Sequence, residues 1–155
     1  MYNYCNYMNV EEIIKTNTEI PLKKRTIIHL SLVYNKVNEQ VALTLKPFEL
    51  SVQQFNVLRI LRGQKGKPAN LSTINERMVT KMSNTTRLVD KLIAKGYANR
   101  TICKHNRRKV EISITQQGLD FLNQIDGMLF EKEEQILSDF SNSELVQLNT
   151  LLDKF

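Results

Sequence analysis

The stretch LSTINERMVTKMSNTTRLVDKLIAKGYANRTICKHNRRKVEISIT, residues 71–115, decides the fold. Its first half runs at a helical period, with Leu71, Ile74 and Met78 on one face of a short predicted helix. Thr80-Lys81-Met82-Ser83 offers a break and a fresh cap. Thr85, Leu88, Val89, Leu92 and Ile93 then mark the buried side of a second helix, which ends at Gly96. Paired helices joined by a short polar turn make a helix-turn-helix. Past Gly96 the period falls to two: Tyr97–Cys103 and Lys109–Thr115 read as strands, Val110, Ile112 and Ile114 alternating with Glu111, Ser113 and Thr115. Between them lies Lys104-His105-Asn106-Arg107-Arg108, a short cationic hairpin tip. A hairpin that follows a helix-turn-helix directly is a wing.

Working outward, Ser51-Val52-Gln53-Gln54 is a capping box opening a helix that buries Phe55, Leu58 and Leu61. A loop, Gly63 to Pro68, separates it from Leu71. Upstream, Asn9-Val10-Glu11-Glu12 predicts a short capped helix, and Pro21 suits the first position of a longer one that Pro47 ends. Ile27, Leu30, Tyr34, Val37 and Val41 repeat along it in steps of three and four, a stripe suited to other helices, a second subunit's included. Downstream, Thr115 caps a long helix containing Leu119, Leu122, Ile125, Leu129, Ile136 and Leu137, and Ser141-Asn142-Ser143-Glu144 opens a last one with Leu145, Leu148, Leu152 and Phe155. The expected fold is therefore mainly α with a small β-wing. A winged helix-turn-helix lobe at 51–115 is flanked by N- and C-terminal dimerisation helices at 1–46 and 116–155, in a single domain spanning 1–155.

Charge is distributed unevenly along these 155 residues. Residues 1–58 are net +1, residues 59–109 net +12 with Glu76 and Asp90 as their acids, and residues 110–155 net −7. Soluble surfaces ordinarily intersperse the signs, so the middle block calls for a polyanion or an acidic partner. Double-stranded DNA is the leading reading, because clustered Lys and Arg neutralising phosphates supply most non-specific affinity. The alternative is a winged-helix protein-interaction module without operator binding, which would not need that charge. No run approaches the roughly eighteen apolar residues of a membrane span, and Met1–Asn9 lacks signal-peptide order, so no membrane association and a cytoplasmic location are expected.

The helix beginning near Lys81 leaves Ser83, Asn84, Thr86, Arg87 and Lys91 off its buried side. Short polar side chains at a helix N-terminus can reach base edges in a major groove, and Arg87 a guanine edge or a phosphate. Ser83, Asn84 and Thr86 read equally as caps and solubilising residues. Arg107 and Arg108 at the hairpin tip suit a narrow minor groove, or serve only as a solvated basic turn. Arg100 reads as a brace for the wing. Cys5 and Cys103 match no zinc spacing and make no disulfide framework; Cys103, beside Lys104 and His105, is either ordinary packing or an oxidisable thiol. His29 and His105 are far apart with no third ligand, so no metal is expected. No catalytic constellation and no cofactor-binding loop is found, which argues against an enzyme.

In order and spacing, Leu50–Leu58, Ser83–Leu92 and Asn106–Gly118 resemble the MarR family of bacterial winged-helix regulators, a likeness running from about Pro21 to the C-terminus. The resemblance implies a transcriptional regulator, usually a repressor, in which a homodimer holds paired lobes over one palindromic site. The helix at 83–95 would lie in the major groove and the wing arginine, Arg108 with Arg107 beside it, in the adjacent minor groove. The family usually places Asp two residues before this arginine; here Asn106 stands there, able to accept a hydrogen bond without charge assistance. The resemblance also implies a small phenolic or anionic effector bound between dimerisation helices and lobe, near Tyr34, Phe48 and Phe55, although each of these reads equally as core. Relatives that sense oxidants use a cysteine in the first long helix; Cys5 precedes Pro21, so that role does not transfer.

Overall fold

The computed structural model describes residues 8–79, 84–102 and 110–155. The element order is α1 (Val10–Ile13), α2 (Leu22–Leu45), a 3₁₀ turn (Lys46–Phe48), α3 (Val52–Gly63), α4 (Leu71–Arg77), α5 (Thr85–Ala94), β1 (Ala98–Ile102), β2 (Val110–Ile114), α6 (Gln116–Ile136) and α7 (Asn142–Leu152). The chain is mainly helical with a small antiparallel sheet, as the periodicities predict. It divides into two compact units, 1–40 and 41–155.

In the first unit the Asn9 side chain accepts from the amides of Glu11 and Glu12, starting α1. Arg25 reaches Glu11 through Nε at 2.7 Å and Nη2 at 3.1 Å. This guanidinium, followed by the residue's own backbone amide, holds the Glu11 carboxyl below the usual carboxylate range. Pro21 stands one position earlier than predicted, before the first residue of α2, where its carbonyl accepts from the Arg25 amide at 2.9 Å. Along α2, Leu22, Ile27, Val33, Tyr34 and Val37 remain exposed.

In the second unit α3, α4, α6 and α7 each start at a side-chain cap. Ser51 Oγ accepts from the Gln54 amide at 3.2 Å while Gln54 Oε1 accepts from the Ser51 amide at 2.9 Å, the reciprocal box that frees α3 to begin at Val52. Ser51→Ala is expected to cost about 1 kcal/mol, read as a melting temperature lower by about 2–4 °C. Asn70 caps α4, Thr115 caps α6 and Ser141 with Glu144 boxes α7. Phe55, Leu58 and Leu61 of α3, Ile74 of α4, Val89 and Leu92 of α5, Ile112 of β2, and Phe121, Leu122 and Ile125 of α6 close one hydrophobic core. Arg62 of α3 pairs with Asp126 of α6 at its edge.

The hairpin pairs Ala98 with Ile114 and Ile102 with Val110. At the hairpin base the strands start at Ala98 and end at Ile114, each one residue inside the predicted runs, while Cys103 and Lys109 lie outside the described residues. Ala69, ahead of α4, adds a further backbone pair, its amide donating to Ile112 O at 2.8 Å and its carbonyl accepting from Ile112 N at 2.7 Å. At the hairpin base the chain crosses itself closely. Thr115 Oγ1 donates to Gly96 O at 2.7 Å, the Thr115 amide donates to Tyr97 O at 3.1 Å, and Tyr97 stacks on Phe121 with centroids 4.7 Å apart.

Candidate nucleic-acid interface

The side of α5 that the core does not take is polar and cationic. Thr85, Val89 and Leu92 are buried, whereas Thr86, Arg87, Asp90 and Lys91 are exposed, as is Asn84 just ahead. Asn84 occupies the N-cap position, yet its side chain makes no cap hydrogen bond, so capping does not account for that residue. Asn84, Thr86 and Arg87 thus share the first turn and Lys91 follows one turn beyond Arg87, placing four of the expected reading residues on one helix. Ser83, Arg107 and Arg108 lie outside the described residues, as do Asn106, Cys5, Cys103 and His105.

The far end of α5 is fixed by chemistry that only glycine permits cheaply. Gly96 has φ +75°; its amide donates to Ile93 O at 2.9 Å and the Tyr97 amide donates to Leu92 O at 2.9 Å. These bonds form a Schellman motif, which turns the chain from helix into strand. Lys95 reaches back to Phe48 O at 3.2 Å and Glu49 Oε2 at 3.4 Å, tying this end of α5 to the bend before α3. Arg100 of β1 places Nη2 2.7 Å from Asp90 Oδ1, so the brace expected of Arg100 runs to the helix beside the hairpin. Sequence reasoning passed over Asp90: its partner sits beyond the Gly96 turn, outside any helical spacing. Phe55 is buried in the core and Phe48 packs edge-on against Phe121 at 5.3 Å, while Tyr34 is exposed.

Among the described residues no group of His, Cys, Asp or Glu could hold a metal ion, and no helix is long and apolar enough to cross a membrane. Residues 50–110 match the sequence profile of the MarR family. Over this segment the chain carries the MarR-family signature. It is similar to the HTH-type transcriptional regulator PecS of Dickeya dadantii (strain 3937), 28% identical over 97% of this chain and 94% of that protein. Among solved structures it resembles a MarR transcription factor from Planctomyces limnophilus, with 28% identity, TM-score 0.68 and coverage of 89% of this chain and all of that one. The fold is also that of the organohalide-sensing RdhR regulator in its 2,4-dichlorophenol-bound form, with TM-score 0.78, 18% identity and coverage of 99% and 87%. Members of that family are transcriptional regulators of a DNA-binding class, not enzymes.

Proposed function

We propose that the protein acts as a homodimer on a palindromic operator, repressing transcription from the cytoplasm, with residues 1–46 and 116–155 forming the dimer and residues 51–115 reading DNA. The observation that carries this reading is the exposed first turn of α5, where Asn84, Thr86 and Arg87 project from a segment of net charge +12. In this reading Ser83, Asn84, Thr86, Arg87 and Lys91 meet the major groove, and Arg107 and Arg108 the adjacent minor groove. Dimerisation is supported by apolar side chains left in solvent: Ile27 and Tyr34 on α2, Phe130 on α6, and Val146 and Leu151 on α7. Burying large apolar side chains contributes roughly 1.5–3 kcal/mol each, so surfaces of this kind favour a partner. A small phenolic or anionic effector is part of the proposal, supported by the dichlorophenol held by the RdhR regulator.

Selection of bound duplexes from a random pool tests the reading. A palindrome with half-sites about 34–36 Å apart is expected, as two-fold symmetry demands; an asymmetric or absent consensus would overturn it. On the selected duplex, Arg87→Ala should weaken binding by roughly 1–3 kcal/mol if Arg87 reads a base. Equal weakening on random DNA would assign Arg87 to a phosphate instead.

A further inference from the structure

The basic block contains fourteen Lys and Arg but only Glu76 and Asp90 as acids, and the two acids are placed differently. Glu76 accepts from Ser72 Oγ at 2.9 Å within α4. Asp90 stands on the exposed side of α5, one turn after Arg87, where a bare carboxylate would oppose the approach of phosphate. It is not bare, for Arg100 Nη2 lies 2.7 Å away on β1. Arg100 in turn sits opposite Ile112 in the ladder, and Ile112 is held on its other edge by Ala69. The pair therefore spans the Gly96 turn between the helix and the hairpin, outside the hydrophobic core. Asp90 is half exposed and Arg100 a third exposed, and partly solvated ion pairs contribute little to folding stability. What the pair does achieve is geometric and electrostatic: it links the elements on either side of the turn and occupies one guanidinium.

We propose that Asp90 is a positioning residue that sets specificity, locking the hairpin to α5 and withholding Arg100 from phosphate. A released Arg100 would favour every duplex alike, since phosphate contacts carry no sequence information. Held by Asp90, it adds nothing to random DNA and keeps the wing in the one register at which α5 meets its bases. The inference rests on the operator-reading function proposed above.

The test uses the full chain, the selected duplex and a random duplex of equal length, with salt titrations on both. Asp90→Asn is expected to tighten random-duplex binding several-fold and steepen its salt slope by about 0.9, one extra cation on phosphate. Operator binding should not tighten in step, so the ratio of the two affinities falls by about tenfold. Arg100→Gln should lower operator affinity more than random affinity, without steepening either slope. Exchanging the charges, Asp90→Arg together with Arg100→Asp, should recover the ratio and the original random-duplex slope, which a loss of folding in either single variant could not mimic. The proposal is overturned if Asp90→Asn leaves ratio and slope unchanged, or if the exchanged pair does no better than the single variants. A wild-type chain that prefers no duplex would overturn this inference together with the reading it rests on, whereas a discriminating wild type with an indifferent Asp90→Asn overturns this inference alone.

Discussion

Raising monovalent salt from about 50 to 200 mM is expected to weaken duplex binding by about a thousandfold. The size follows from counting phosphates. Each neutralised phosphate contributes a slope of about −0.9 in log affinity against log salt. The fourteen basic residues of 59–109 are not all available: Arg62 is engaged by Asp126, Lys95 by Phe48 and Glu49, and Arg100 by Asp90. Arg87 and Lys91 on the open side of α5 remain, joined in the proposed function by the hairpin-tip arginines. With about three of these four cations on phosphate in each lobe, about six per dimer, the slope is near −5, hence about three orders of magnitude over a fourfold change in salt. Fluorescence anisotropy of labelled duplex across a salt series measures it. A slope shallower than about −2 would mean that the basic block does not face phosphate, and the protein-interaction reading would then lead.

The second large effect concerns folding. Gly118→Ala should destabilise the chain by about 3 kcal/mol, because overpacking against an atom that cannot yield sits at the upper end of its usual cost. A Cβ at Gly118 would stand 2.3 Å from Tyr97 O and 2.9 Å from Ile114 Cγ1. That carbonyl already accepts from the Thr115 amide, and the Tyr97 ring is stacked on Phe121, so moving it aside would break the hairpin base. In a chain of 155 residues the melting temperature should fall by about 6–12 °C. Gly127→Ala is the matched control on the same helix: nothing lies within 4 Å of its added Cβ, and alanine is the better helix former by about 0.5–1 kcal/mol. Thermal unfolding followed by circular dichroism should move the two variants in opposite directions. Equal melting temperatures would show that the crossing at Tyr97 is looser than described.

What could be read from the residues alone follows the range of the forces involved. Short-range signals were legible: the Ser51 and Ser141 boxes, the Thr115 cap, the stop at Gly96 and the change of period after it all stand where the chain itself places them. The buried positions of α5 were legible for the same reason, since a 3.6-residue repeat sorts Val89 and Leu92 from Thr86 and Arg87 without knowledge of their neighbours. The Ala69–Ile112 pair was not, because a strand contributing one residue has no period to detect. Arg62 with Asp126, Lys95 with Phe48 O, and Asp90 with Arg100 join residues whose proximity depends on the finished packing. The proposed site divides along the same line: the exposed face of α5 emerges from periodicity, while the ion pair beside it needs the strand that comes after.

The Ala69 pair has a kinetic consequence. By fastening the segment before α4 to the strand after α5, it encloses both helices of the motif in a loop closed at residues 69 and 112. Closing a loop of that length costs entropy that grows only slowly with its size, but the cost falls due before the contacts inside reward it. Neither helix can then peel away while the staple holds, so the recognition element should open to solvent only as part of a larger cooperative unit. A DNA-reading helix secured in this way arrives at its operator already shaped, and little of its binding energy is spent on ordering it.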